Sequence, residues 1–282
     1  MEIYQSSSRL GRLLTEMWAA FRKDVRVYFR YPALILSEFI TLPAWFVLFA
    51  TGVAANFVQK GTVTKTVGPA SPTFTFFYWG FVFLIIFSTS IWGIGQYIRT
   101  EQLQGTIEQL FLAPISRLNI IFGRFARTFF TDLAIIGYTA LLIGGFGHQQ
   151  ISIINPLLFI LIFPIIYLGV LGFGLIFAGI AFRLKSFNIL SNLTQFLVIG
   201  LCGVFFPLTV LPVPVQLIGL AIPFTYFADL LRYAASGSAT LLDPTIEVLT
   251  ALGLSLTLFV AGLILFKMTE DYAQTKGLIG TH

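Results

Sequence analysis

The sequence predicts an all-α integral membrane protein with six transmembrane helices. Of its 282 residues, 57% are hydrophobic and only 10% are charged, whereas soluble domains usually carry about 25% charged residues. The chain also contains long stretches without Asp, Glu, Lys or Arg, and a helix needs about 20 apolar residues to cross a bilayer core. This composition excludes a soluble enzyme, a disordered chain and a disulfide-stapled secreted module.

The first element, within residues 1–33, is predicted to be an amphipathic helix. Apolar residues recur at helical spacing, and charged residues occupy the remaining arc. The apolar positions are Leu10, Leu13, Leu14, Met17, Phe21, Val25 and Tyr28, and the charged ones are Arg9, Arg12, Glu16, Arg22, Lys23, Arg26 and Arg30. Such a helix is expected to lie in the membrane interface, with its cations toward anionic headgroups. The alternative is a cytoplasmic helix packed on a partner subunit.

A transmembrane domain at 34–267 and a short tail at 268–282 follow. Six spans are predicted at 34–55, 75–98, 126–146, 157–182, 189–210 and 246–267. With this arrangement every lysine and arginine except Lys60, Lys65 and Arg232 flanks the same side of the membrane. Basic flanks stay in the cytoplasm, so both termini are expected there, in a multi-pass protein of the plasma (inner) membrane. No cleavable signal peptide is expected, because the first span follows a long basic helix.

The connection after the second span, about 103–114, predicts a short amphipathic helix. Gly105 loosens the chain, Thr106 can cap a helix start with Gln109 as its reciprocal partner, and Pro114 prevents continuation. The apolar face carries Ile107, Leu110 and Phe111, and another face carries Glu108. A helix of two turns is not stable alone in water, so it is expected to dock against another surface. The alternative is packing on its own spans only.

The segment 211–237, before the last span, is predicted to form short helices at the outer face. Pro212 and Pro223 prevent one continuous helix, and a seventh span would place the C-terminus outside. One short helix is expected at Tyr226–Ala235, with Asp229 and Arg232 on one face. The alternative is an apolar loop packed on the spans.

Asp132 is the ionisable residue deepest in a predicted span, and buried charge in a membrane is costly enough to suggest function. The expected partners are Gln96, Gln195 or Arg127. The alternative is a role in a polar substrate path or in proton coupling. Nearer the cytoplasmic surface, Glu38 is expected within reach of Arg30, and Arg127 is expected to reach toward the headgroups.

Motifs for nucleotide or metal chemistry are absent from the sequence. It has no Gly-x-x-x-x-Gly-Lys-Ser/Thr string, so the chain itself is not expected to bind ATP or act as an enzyme. His148 and His282 are the only histidines and Cys202 is the only cysteine, so no metal site or cofactor is expected. An intramembrane enzyme would need a second catalytic group at the depth of Asp132, and a secondary transporter would more often show internal repeats.

Two motifs resemble those of permease subunits of type-two ABC exporters. Glu101, Gly105-Thr106-Ile107-Glu108, Leu110 and Pro114-Ile115-Ser116 are similar to the coupling-helix signature of that family. The stretch 203–212, followed by 223–226 and Leu231-Arg232, is similar to its second signature, before the last span. This outer-face motif comprises Phe206, Pro207, Leu211, Pro212, Pro223 and Arg232.

The resemblance implies an exporter permease that pairs with a second copy or a close relative. Two separately encoded ATP-binding subunits would hold ATP and Mg and drive the spans through the coupling helix. The coupling role would fall on Glu101, Gly105, Thr106, Ile107, Glu108, Leu110, Phe111 and Pro114. Hydrophobic or amphipathic cargo, drug or lipid-like, is the leading expectation, since such a ligand tolerates an apolar wall. A lipid-linked polysaccharide or glycolipid is the second, and an ion-coupled secondary transporter is the third; no nucleic-acid partner is expected.

Overall fold

A computed structural model describes residues 9–59, 73–106, 112, 116–147, 151, 153–181, 184 and 187–275. Within these residues all regular structure is helical, which confirms the predicted all-α class. The α-helices are α1 (Arg9–Arg30), α2 (Pro32–Gln59), α3 (Thr73–Ser88), α4 (Gln96–Leu103), α5 (Arg117–Gly147), α6 (Pro156–Ala181), α7 (Phe187–Leu201), α8 (Val213–Ala221), α9 (Pro223–Ser236) and α10 (Pro244–Thr275). A π-helical segment, Thr89–Gly95, joins α3 to α4, and a 3-10 turn spans Leu208–Val210.

Four helical stretches in the described part of the chain are long and apolar enough to cross a membrane: Thr75–Leu103, Arg117–Ile143, Pro156–Ala181 and Pro244–Tyr272. Two bent helix pairs raise the number to as many as six. One pair is α1 with α2, bent by 84°, and the other is α8 with α9, bent by 89°. The protein is therefore a multi-pass membrane protein.

Helix α1 lies against the N-terminal part of α5, which contains the predicted third span. Their backbones approach so closely at Gly123 that a β-carbon there would overlap Ala20 and the backbone of Met17. The Nδ2 of Asn119 donates to the Glu16 carboxylate at 2.7 Å. Trp18, on another face of α1, is 62% exposed. One face of this helix is thus docked on its own bundle, and its place in the membrane interface remains a prediction.

Helix α6 packs along α10 through small residues. A β-carbon at Gly172 would overlap the backbone of Phe259, and one at Gly262 would overlap the carbonyl of Gly172. Small residues let membrane helices approach closely, and this contact provides the van der Waals packing that drives helix association in lipid. Aromatic side chains fill the neighbouring core, where the rings of Phe87 and Phe173 both lie within 4.8 Å of the Phe224 ring.

The predicted fifth span, 189–210, is wrong in its second half. Helix α7 has 15 residues and ends at Leu201, about 22 Å at the usual rise of ~1.5 Å per residue. The chain then turns through Gly203, whose φ of +66° is open to glycine and strained for other residues. Helices α8 and α9 follow and meet at Ile222–Pro223. The predicted break at the prolines is confirmed, and the apolar-loop alternative is wrong.

Candidate coupling turn and polar cavity

The second span ends in a tight turn formed by three of the predicted coupling residues. The amide of Thr106 donates to the carbonyl of Glu101 at 3.1 Å, and the amide of Gly105 donates to the carbonyl of Gln102 at 3.1 Å. Gly105 has a φ of +68°. This pair of bonds around a left-handed glycine is the Schellman motif, which satisfies the last carbonyls of a helix. The Thr106 hydroxyl also donates to the Glu101 carboxylate, so Glu101, Gly105 and Thr106 form one closed unit, the coupling turn.

The other predicted coupling residues, Ile107, Glu108, Leu110, Phe111 and Pro114, lie outside the described residues, as does Gln109. The cap between Thr106 and Gln109 therefore stays a prediction.

Helix α5 begins just beyond residues 107–115, here called the coupling segment. The Ser116 carbonyl accepts from the amides of Asn119 and Ile120 at 3.0 and 3.3 Å. The next residue, Arg117, forms an ion pair with Glu270 of α10 at 3.3 Å. The residues on either side of 107–115 are thus a closed turn before the segment and a helix start tied to the last helix after it.

Arg124 is the residue that joins the elements around the coupling turn. From the sequence it could be recognised only as one of the basic residues beside a predicted span. Its Nε donates to the carbonyl of Gly93 in the π segment at 2.9 Å. Its guanidinium lies 3.6 Å from the Asp24 carboxylate of α1 and 4.5 Å from the centre of the Tyr97 ring of α4. Tyr97 is one turn before Glu101. No sequence spacing links these residues, because they come from four separate elements.

Beside Arg124 lies a cavity of about 480 Å³, here called the polar cavity. Its wall is made by α2, α3, the π segment and α5 and carries four charged side chains. The lining residues that bear charge or a hydroxyl are Ser37, Glu38, Thr41, Ser88, Thr89, Arg124, Arg127, Thr128, Thr131 and Asp132. A cavity so lined in a membrane bundle is adapted to water or to a polar ligand, since an apolar wall would serve an apolar ligand better.

Asp132 lies in this wall and is 6% exposed. Its carboxylate accepts from the Thr89 hydroxyl at 2.7 Å and from the Tyr167 hydroxyl at 3.2 Å. The predicted partners Gln96 and Gln195 are therefore wrong, whereas Arg127, the third predicted partner, interacts with Asp132 through its charge but forms no ion pair with it within 4.0 Å. Gln195 instead accepts from the indole of Trp92 at 2.7 Å and donates to the Ser88 hydroxyl at 3.1 Å. The sequence could not reveal these partners, because the rotation of each helix about its axis decides which side chains meet.

Glu38 also differs from its predicted surroundings, and Arg127 lies beside the same tyrosine. Glu38 accepts a hydrogen bond from the Tyr28 hydroxyl at 2.6 Å, rather than meeting Arg30. The Arg127 guanidinium lies 4.9 Å from the centre of the same Tyr28 ring and 3.5 Å from the Thr131 hydroxyl. Arg127 lines the polar cavity, and its reach toward the headgroups stays a prediction.

The outer-face motif is organised by Arg232, which is 3% exposed. Its guanidinium donates to the carbonyl of Val204 and lies 3.9 Å from the centre of the Phe76 ring. The Asp229 carboxylate accepts instead from the amide of Leu241 at 2.8 Å. The remaining motif residues delimit the short helices: Phe206 and Pro207 precede the 3-10 turn, Leu211 and Pro212 separate it from α8, and Pro223 begins α9. The motif fixes the turn 202–207 and α9 to the second span.

The comparisons with known proteins give one family. The family model described as "ABC-2 type transporter" matches residues 15–235, a range that includes the coupling turn, the polar cavity and the outer-face motif. No curated protein matches the chain.

Proposed function

Because the chain belongs to the ABC-2 type transporter family, we propose that this membrane permease is the transmembrane subunit of an ATP-driven exporter. Two separately encoded ATP-binding subunits supply ATP and Mg, and a second permease copy or a close relative completes the membrane part. The cargo is hydrophobic or amphipathic, drug or lipid-like, and moves outward across the plasma (inner) membrane. Both termini lie in the cytoplasm.

The observation that carries this proposal is the way in which both ends of the coupling segment are tied to the bundle. Glu101, Gly105 and Thr106 close the end of the second span through backbone and side-chain hydrogen bonds around a left-handed glycine. Arg117, at the other end, is paired with Glu270. An ATPase that pushes on residues 107–115 then displaces α4 and α5 together, because neither junction is an unpaired loop that would absorb the movement.

Arg124 extends this connection from the coupling turn to the cavity. It stacks on Tyr97, one turn from Glu101, and holds the carbonyl of Gly93 at the cavity wall. Its ion pair with Asp24 includes the N-terminal helix in the same unit. In the proposed cycle, ATP binding draws the two ATPases together, the coupling segments follow, and the wall that contains Gly93 moves relative to α2.

The test is reconstitution with the ATP-binding subunit. The permease is purified with and without that subunit and placed in vesicles, and efflux of a fluorescent amphipathic dye is measured with ATP or with an ion gradient. We expect ATP-dependent efflux only when both subunits are present. The Glu108→Arg variant should lose copurification of the ATPase, whereas Arg22→Gln, on the exposed side of α1, should retain it. Efflux by the permease alone on an ion gradient would overturn the proposal.

A further inference from the structure

A second cavity adjoins the polar cavity and differs from it in character. It has a volume of about 330 Å³ and is here called the apolar cavity. The two cavities share Thr41, Leu42, Ile85 and Ser88 in their walls. Beyond these shared residues the second wall is mainly hydrophobic and comes from α2, α3 and α7: Trp45, Phe81, Leu84, Phe196 and Ile199, with Asn192 and Gln195. The pair therefore provides one charged compartment and one apolar compartment in contact.

Arg127, Glu38 and Asp132 lie near one another in the polar cavity, but the described residues show no ion pair among them. Among the described residues, no carboxylate lies within 4.0 Å of the Arg127 guanidinium, and no cation lies within that distance of Glu38 or Asp132. Arg127 has an aromatic ring and one hydroxyl at 3.5 Å as its neighbours. A guanidinium has five N–H donors, so most of its donors remain available to a ligand. Arg124, in contrast, is already engaged by Asp24 and Gly93.

Charges at this depth are expensive unless they find partners. A ligand that carried only a negative charge would satisfy Arg127 but approach two carboxylates, and one that carried only a positive charge would approach Arg127. A headgroup with both charges can place its anion at Arg127 and its cation between Glu38 and Asp132. Charge-assisted hydrogen bonds of this kind are shorter and stronger than neutral ones.

We infer that the two cavities together bind a membrane phospholipid whose headgroup carries a phosphate and an ammonium group. The phosphate lies at Arg127, the ammonium lies at Glu38 and Asp132, and an acyl chain fills the apolar cavity beside Trp45 and Phe196. The site lies within one subunit, between α2, α3, α5 and α7. The inference rests on the proposed function only in making this lipid a cargo; the binding itself requires no ATPase.

Lipid binding is tested by native mass spectrometry of the purified, delipidated permease. It is titrated with phosphatidylethanolamine, phosphatidylglycerol and diacylglycerol of the same chain length. We expect the ethanolamine lipid to bind most tightly. Arg127→Gln and Glu38→Gln should each weaken its binding roughly tenfold or more, the loss expected for one charge-assisted hydrogen bond. Lys267→Gln, which removes a charge at an exposed residue of α10, is the matched control and should bind as the wild type does. Equal affinity for the three lipids, or unchanged binding by both cavity variants, would overturn the inference.

Two further measurements distinguish a phospholipid from a soluble ligand and test the apolar cavity. Water-soluble glycerophosphoethanolamine has the same headgroup without acyl chains and should not bind at the concentrations at which the lipid does. If it binds equally well, the ligand is a soluble zwitterion and the lipid assignment is wrong. The Leu84→Trp variant, which fills the apolar cavity, should weaken lipid binding with an unchanged melting temperature. If the wild-type permease binds the lipid but shows no ATP-driven efflux together with its ATPase, the proposed function alone is refuted. If it shows ATP-driven efflux but does not bind the lipid, this inference alone is refuted.

Discussion

Replacing Gly105 with alanine should open the coupling turn without disturbing the rest of the bundle. Gly105 has a φ of +68°, and no atom lies within 4 Å of the position that a β-carbon would occupy. The cost of the substitution is therefore backbone strain alone, about 1–2 kcal/mol for a residue with a β-carbon in the left-handed region. That free energy shifts the equilibrium between the closed and open turn by roughly 5- to 30-fold.

Hydrogen exchange of the purified permease measures this opening directly. The amides of Gly105 and Thr106 are protected by bonds of 3.1 Å within the turn, so their exchange should accelerate by the same 5- to 30-fold in Gly105→Ala. Gly105→Asn should show a smaller effect, since asparagine visits the left-handed region more readily. In the assembled transporter the alanine variant should hydrolyse ATP with reduced transport per ATP.

The matched control is Gly137→Ala. At Gly137, too, no atom lies within 4 Å of the position that a β-carbon would occupy. This glycine lies inside helix α5, where alanine is more favourable than glycine by about 0.5–1 kcal/mol. This variant should leave exchange at residues 104–106 unchanged. If Gly105→Ala exchanged at the wild-type rate, the turn would not depend on a left-handed residue and the reasoning would be refuted.

Three other substitutions test the packing and the cavity. Gly172→Ala should destabilise the protein by about 1–3 kcal/mol through overpacking of α6 on α10, measured by thermal unfolding, whereas Gly253→Ala, with open space around it in α10, should not. Arg232→Gln should lower the melting temperature, because the buried Val204 carbonyl loses its donor at a cost of about 1–3 kcal/mol; an unchanged melting temperature would contradict that role. Asp132→Asn should preserve folding, since an amide oxygen accepts the same two hydrogen bonds, while weakening phosphatidylethanolamine binding in the same titration; unchanged lipid binding and transport would remove Asp132 from any functional site.

The positions of most helices could be predicted from the sequence, because they depend on local hydropathy and on the positions of proline and glycine. Charge-free runs indicate the positions of α2, α3, α5, α6 and α10, since only a helix satisfies its own backbone in lipid. Among the described helices, four begin at a proline, at Pro32, Pro156, Pro223 and Pro244, where the missing amide would be unpaired in any case. Gly105 is predicted to be a break, and its left-handed conformation agrees with that prediction.

The length of α7 could not be predicted in the same way. Residues 202–210 are as apolar as those of the helix before them, and hydropathy alone continues the span through them. What ends the helix is the turn at Gly203 and the contact of Arg232 with the carbonyl of Val204. That contact comes from a residue 28 positions later in the chain, so tertiary structure decides this boundary.

The polar partners within the bundle were also beyond sequence analysis. Amides and cations are the partners that the sequence predicts for Asp132, whereas two hydroxyl groups satisfy it. Tyr167 has no signal of its own, since a tyrosine in an apolar span is indistinguishable from core aromatics. Depth along a helix can be counted from the sequence, but the rotation that points a side chain at its neighbour comes from packing.

The π segment Thr89–Gly95 connects the helix that ends at the coupling turn with the wall of the polar cavity. It lies between α3 and α4 in a continuous helical path from the coupling turn into the membrane, and π-helical insertions are frequent at functional sites. Thr89 contacts Asp132, Trp92 contacts Gln195, and Gly93 contacts Arg124. These three contacts hold the segment against α5 and α7 on the side that lines the cavity. We therefore expect a movement of Thr106 to pass along α4 into the π segment and to shift the cavity wall before it shifts α3, because the π segment is hydrogen-bonded to both α5 and α7.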